Sequence, residues 1–256
     1  MVKRLLPTHA TTNLGNRLNG KIGLYLEDLL RLFAITRAAN PKNRLNLVPN
    51  CLKRVNVVCY FTKNRKKMYE ILQKVLKRKI DVDENTLEQI VSYFKIIHTK
   101  RNQILLTSDE ICQNYYFINK GCIRLFNISK EGNENSRFFA FEENFATALP
   151  SFIDQKPAEE YLQTIQNSEL LYISRTDFYH LVNTLPQFAK LYTEILENGF
   201  IMAQKRIYGF QGFDANEKVK WIIKHYPKLL LNVSNKMVAS YLGISASTLS
   251  RVKSKL

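Results

Sequence analysis

The sequence predicts an α+β fold: an antiparallel β-roll of the jelly-roll kind, then a long dimerisation helix, then an all-α helix-turn-helix domain. Three observations carry that prediction. Between Gln103 and Ile173 the apolar pattern breaks into short β-type runs separated by turn signals. Pro186 then opens one long helical period, and the residues from Ser234 to Leu256 spell a helix, a glycine turn and a second helix without one acidic side chain.

The roll is expected from six runs: Gln103–Leu106, Tyr115–Ile118, Cys122–Ile128, Ser136–Phe141, Tyr161–Ile165 and Leu170–Ile173. Asn119–Lys120–Gly121 and Lys130–Glu131–Gly132–Asn133 stand where hairpins need residues that tolerate positive φ. Strands at this spacing suit a small antiparallel barrel or jelly roll. Ahead of them, from Tyr69 to about His98, helical spacing predicts two short helices interrupted near Asp81–Val82–Asp83.

Thr176–Val182 reads as a short helix, and the long one runs from Pro186 to about Tyr208. Within it Phe188, Tyr192, Ile195, Gly199 and Met202 recur as a two-heptad seam, suited to a second copy of the chain. Packing on the parent roll explains the same stripe equally well. Asn216–His225 is a further helix, ended before Pro227.

In the final segment Ser234 can cap a helix whose apolar positions are Met237, Val238, Tyr241 and Leu242, and Gly243 supplies the left-handed residue that ends it. Ile244 plugs the corner. Ser245 can cap the second helix, where Leu249, Val252 and Leu256 form the buried stripe and Ala246, Ser247, Ser250, Arg251 and Lys253 fall on other faces. Small residues let such a helix approach a groove, and its hydroxyls and arginine can bond phosphates or base edges. An ordinary αα-hairpin with a basic face fits the pattern as well.

Charge separates the two. The chain has 256 residues and a net charge of +16, distributed unevenly. Residues 1–67 hold 14 Lys/Arg against 2 acids, residues 68–215 hold 16 against 19, and residues 216–256 hold 8 against 1. A mildly acidic body therefore carries a basic carboxyl-terminal module suited to a polyanion. Residues 1–67 have one amphipathic stretch, Ile22 to Arg37, and end in Lys63–Asn64–Arg65–Lys66–Lys67 just before Met68. They read as a basic extension upstream of a native start at Met68, or else as a flexible basic arm.

Cys51, Cys59, Cys112 and Cys122 show no C-x-x-C pair and no His at ligand spacing, which indicates buried reduced thiols and no metal. The stretch from Ile22 to Ile35 is broken by Glu27, Asp28 and Arg31, so no membrane span is expected and the predicted address is cytoplasmic. With four scattered histidines, no glycine-rich phosphate loop and no nucleophile–base constellation, no enzyme chemistry is expected.

The order of parts over residues 68–256 resembles the cyclic-AMP receptor/fumarate-nitrate regulator (Crp/Fnr) family of bacterial transcription factors. The most specific match is Val238–Ala239–Ser240–Tyr241–Leu242–Gly243–Ile244–Ser245–Ala246–Ser247–Thr248–Leu249–Ser250–Arg251, similar to the family's helix-turn-helix signature. Tyr116–Phe117–Ile118–Asn119–Lys120–Gly121–Cys122–Ile123–Arg124–Leu125 and Ser168–Glu169–Leu170–Leu171–Tyr172–Ile173–Ser174 resemble its roll strands. The resemblance implies a cyclic-nucleotide-binding-like domain at 68–185, a dimerisation helix and hinge at 186–212 and a DNA-binding domain at 213–256. It implies double-stranded DNA, a second copy of the chain and RNA polymerase as partners, with an effector it does not identify. Candidate DNA contacts are Ser234, Lys236, Ser245, Ala246, Ser247, Thr248, Ser250, Arg251, Lys253 and Lys255.

The ligand segment departs from the family. Relatives that bind cyclic nucleotides hold the phosphate with a Gly–Glu pair and an Arg followed by a small hydroxyl residue, since an anion needs a cation and free amides. The corresponding residues here are Glu143, Asn144 and Phe145, then Glu159, Glu160 and Tyr161. Carboxylates stand in the place of the cation, so the expected pocket does not hold cyclic AMP. No cysteine cluster precedes the roll outside residues 1–67, and His98 and His180 carry no haem-ligand pattern, so no cofactor is expected. The competing reading is a ligand-sensing or protein-interaction roll whose basic tail does not read DNA sequence.

Overall fold

A computed structural model describes residues 68–255, all within one compact unit. The expectations for residues 1–67, Cys51 and Cys59 included, lie outside the described residues, as does Leu256.

Helix α1 (68–79) buries Tyr69, Leu72, Val75 and Leu76, a stripe at helical spacing. Helix α2 (Glu84–Ser92) starts where expected because the Asp83 side chain accepts from the Thr86 amide. The predicted helix does not reach His98. Lys95–Thr99 is strand β1, paired antiparallel with Ser168–Tyr172, and His98 lies exposed on it. A pairing partner 70 or so residues away outweighs the local period there.

The roll follows as β2 (Ile104–Leu106), β3 (Asn114–Lys120), β4 (Cys122–Ile128), β5 (Glu134–Phe141), β6 (Phe145–Ala146), helix α3 (Leu149–Asp154), β7 (Tyr161–Thr164) and β8 (Ser168–Ser174). Two four-stranded antiparallel sheets, ordered β1-β8-β3-β6 and β2-β7-β4-β5, face each other as a jelly roll. Gly121 turns β3 into β4 at φ 107°, and a Cβ there would stand 2.2 Å from Ser168 Oγ, so only glycine fits. The interior is aromatic: Tyr115 stacks on Phe178 at 4.8 Å and meets Phe152 edge-on at 5.2 Å.

Helix α4 (Arg175–Thr184), capped by Ser174, leads into α5 (Pro186–Gly212). The five seam positions of α5 do not all face outward. Phe188 is buried against Phe178, and Tyr192 and Ile195 pack on the roll core. At about 100° per residue, Gly199 and Met202 continue that stripe, which runs on to Arg206 and the buried Gly209 beside the carboxyl-terminal domain. Gly199 is exposed and Met202 half-buried, so the chain's own roll accounts for the first three of the five positions. The opposite face of α5 carries the exposed apolar side chains Phe200, Ile201, Ile207 and Tyr208.

Four short helices complete the chain: α6 (Ala215–His225), α7 (Pro227–Asn232), α8 (Asn235–Leu242) and α9 (Ala246–Lys253). Asp214 and Glu217 form a reciprocal capping box at the start of α6. Val219, Ile222, Leu229, Val233, Val238, Leu242, Leu249 and Val252 make the core of this domain, and they join Cys122, Phe139, Phe141 and Ile165 of the roll in one cluster.

Candidate nucleic-acid interface

The helix-turn-helix pair is built by its own caps. Ser234 Oγ accepts from the Met237 amide, Gly243 ends α8 at φ 65°, and the Ile244 amide donates to the Ala239 carbonyl at 3.1 Å. Ser245 Oγ accepts from the Thr248 amide at 3.0 Å and lies 2.8 Å from both Ser247 Oγ and Thr248 Oγ1. Three hydroxyls therefore cluster on the first turn of α9, beside amides that an anion could also meet.

Burial of Leu249 and Val252 fixes the rotation of α9, which turns Ala246, Ser247, Ser250, Arg251 and Lys253 to solvent. Ser234, Lys236, Ser245 and Lys255 are exposed as well, and Thr248 is half-buried. Lys253 Nζ donates to Asn235 Oδ1 at 3.2 Å and so ties the end of α9 to the start of α8. None of the candidate cations here has a carboxylate partner within an ion-pair distance among the described residues. The face is small, hydroxylated and basic, which suits close approach to a polyanionic groove.

The six effector-pocket candidates do not converge. Glu143, at φ 67° in the β5–β6 turn, bonds Arg78 of α1 at 3.0 Å, and Asn144 closes the same turn by donating to the Phe141 and Glu142 carbonyls. Phe145 packs between Tyr115 and Phe117 in the roll interior. Glu160 takes both arms of Arg137 at 2.7 Å, and Tyr161 stacks on Phe126 at 5.1 Å. Glu159 is exposed. They sit in two separate turns and on strands β6 and β7 of different sheets, so they do not form one pocket.

A groove of about 470 Å³ lies instead beside the β2–β3 connection, lined by Leu105, Leu106, Glu110, Ile111, Cys112, Asn114 and Tyr116, and none of the six borders it. Among the described residues the one buried cation is Arg124. It shares a face of β4 with Cys122 and Phe126, away from the inward Ile123 and Leu125, and bonds Ser136 Oγ and Glu134. Cys112 and Cys122 are buried and unpaired, and burial pushes the Cys122 thiol up. Among the described residues no cluster of three or more His, Cys, Asp or Glu could hold a metal, and no helix is long and apolar enough to cross a membrane.

Residues 96–184 match the family of cyclic nucleotide-binding domains. The match spans about a third of the chain and makes the roll similar to such domains. No curated protein sequence matches the chain. Solved structures share the fold beyond this domain. FixK2 from Bradyrhizobium japonicum superposes with a TM-score of 0.57 at 15% identity, covering 64% of this chain and 84% of its own. The c-di-GMP-responsive global regulator CLP from Xanthomonas campestris gives 0.56 at 16% identity, over 68% and 91%. A protein from Eubacterium rectale assigned to the Crp/Fnr family gives 0.55 at 14%, over 68% and 83%. The arrangement of roll, long helix and carboxyl-terminal helix-turn-helix thus has the fold of these solved structures, one of them assigned to the Crp/Fnr family.

Sequence reasoning missed Ser136, Arg206 and Ser240, which join the domain to the helix-turn-helix, and the exposed apolar face of α5. Arg124, lodged in the apolar run Cys122–Ile128, was the one signal pointing at the junction, because a buried arginine needs partners.

Proposed function

We propose that this protein is a homodimeric transcription regulator that reads double-stranded DNA through α9 and does not respond to cyclic AMP. The observation that carries the reading is the exposed, acid-free face of Ser247, Ser250, Arg251 and Lys253, held by two serine caps and a glycine turn. Arg251 is the candidate base reader, and a bidentate arginine–guanine pair contributes about 1–3 kcal/mol of discrimination. Lys236, Lys253 and Lys255 serve phosphates, whose loss weakens all sequences alike. Two copies pair through Phe200, Ile201, Ile207 and Tyr208 on α5, presenting two reading helices to successive major grooves about 34 Å apart.

The insensitivity to cyclic AMP is supported by the scatter of Glu143, Glu159 and Glu160 and by Arg124 pairing outside the roll interior. Selection of bound fragments from genomic DNA, followed by gel shifts, tests the reading. Arg251→Ala should lose roughly 5- to 150-fold for the selected site while random DNA is bound as before. Equal loss on both, or none, removes sequence reading from α9. Calorimetry with cyclic AMP should show no heat; micromolar binding overturns that part.

A further inference from the structure

The helix-turn-helix does not hang free of the roll. Strand β5 carries a bulge at Arg137: Leu125 pairs with Phe138, but Phe126 pairs with Ser136. That extra residue shifts the alternation, so Ser136 and Phe139, three residues apart, both turn to the outer face. Phe139 meets Tyr241 of α8 edge-on at 5.7 Å. Ser136 Oγ lies 2.7 Å from Ser240 Oγ, and the Ser136 amide donates to the same Ser240 Oγ at 3.2 Å. The bulge also frees the Arg137 carbonyl from the ladder, and Arg206 of α5 donates to it while lying over the Tyr241 ring at 5.0 Å.

The polar contacts form a directed chain. Arg124 Nε donates to Ser136 Oγ at 2.8 Å, so the Ser136 hydrogen is free to go to Ser240 Oγ, whose own hydrogen goes to the Met237 carbonyl at 2.9 Å. Arg124 is 1% exposed, held by Glu134 at 2.7 Å and by the Phe126 ring at 4.2 Å. On the far side Lys228 of α7 reaches Glu142 at 3.3 Å, and Glu142 also accepts from the Gly121 amide. Around these bonds the domain core and the outer side chains Cys122, Phe139, Phe141 and Ile165 form a single apolar cluster. The contact centres on α8, with Arg206 of α5 and Lys228 of α7 beside it, and leaves the exposed side of α9 in solvent.

We infer that the outer face of β4 and β5 is a seat that fixes the orientation of the helix-turn-helix with its reading face outward, so that the seat, and no bound nucleotide, sets DNA binding. This rests on the proposed DNA reading for its functional half. The polar half of the seat converges on Ser136 and Ser240, which belong to neither the core of the reading domain nor the interior of the roll.

Two full-length variants test it. The first, Ser136→Cys with Ser240→Cys in a Cys51→Ser, Cys59→Ser background, can be oxidised to lock the seat. The second, Ser240→Lys, sets a cation near Arg124 at a half-buried position of α8. Operator affinity is measured without added ligand, hydrogen exchange is followed at the Ser136 amide, and emission of the one tryptophan, Trp221, reports on the domain core. The locked form should keep the parent's affinity within threefold. Ser240→Lys should speed exchange at Ser136 at least tenfold and weaken operator binding at least tenfold, with Trp221 emission unchanged. Arg251→Ala should lose the operator without altering exchange. Unchanged exchange in Ser240→Lys overturns the seat, and a locked form that binds DNA only after reduction overturns its role as the reading orientation. If the parent selects no DNA at all, the proposed function fails, and the exchange result alone still upholds or overturns the seat.

Discussion

The segment from Glu142 to Tyr161 and the helix from Ala246 to Lys253 lie in different parts of the fold, one in the roll and one in the carboxyl-terminal helix-turn-helix. Their charges have opposite signs. The first is acidic, and its side chains are spent on structure: Glu143 on Arg78, Glu160 on Arg137, Phe145 in the core. The second carries a small, hydroxylated and basic face whose cations have no carboxylate partner among the described residues. A surface whose polar groups already have partners gains little from a ligand, whereas one whose cations lack partners has most to gain from an anion. The difference between the two segments thus lies in partner count rather than in composition alone.

The most severe way to break this comparison is to reopen the roll. Phe152 is fully buried and meets Tyr115, Phe178 and Tyr179. Phe152→Ala should cost about 3–5 kcal/mol, the range for truncating a buried aromatic, measured by denaturant unfolding. A loss under about 0.5 kcal/mol, the usual range for surface substitutions, would mean that the interior is loosely filled and a ligand cavity lies near at hand.

The two regions also differ in how legible they are. The helix-turn-helix was readable because its determinants are local: Ser234, Gly243 and Ser245 act on residues two to five positions away, and the apolar stripes repeat at helical spacing. The strands of the roll and the glycine turn at Gly121 were readable for the same reason. Lys95–Thr99 was not, since its strand state depends on Ser168–Tyr172. On α5 the period showed that one face is buried but not what buries it, and the structure assigns Phe188, Tyr192 and Ile195 to the chain's own roll. The seat was illegible because it depends on a one-residue bulge at Arg137, and a bulge is a property of the pairing between β4 and β5 rather than of either run.

A smaller effect sharpens the account of α9. Ser245 both caps α9 and gathers the hydroxyls of Ser247 and Thr248. Ser245→Ala should lower the melting temperature through a cap loss of about 1 kcal/mol. It should also weaken binding to specific and random DNA by the same factor, since a frayed first turn disturbs phosphate and base contacts together. Loss confined to the specific site would make Ser245 a base reader instead of a cap.

The smallest effect joins the two regions through Glu142. Burial tends to raise its pKa, but the amide of Gly121 and the ammonium of Lys228 outweigh that and hold the carboxyl below its ordinary value of 4.5. A carboxyl with a depressed pKa in the folded state stabilises the fold fully above its unfolded pKa and loses that contribution as pH falls through the folded value. The side chain is 34% exposed and Lys228 is 59% exposed, so solvent screens the pair and the effect is modest. Glu142→Gln should therefore be slightly less stable than the parent at neutral pH. The gap should begin to close as pH drops below about 4.5 and vanish in stronger acid, because protonation does to the parent what the substitution did. A gap that is constant from pH 7 to pH 3 would show that Glu142 acts through shape, and would leave the junction between roll and reading domain resting on the Ser136–Ser240 contact and its apolar surround.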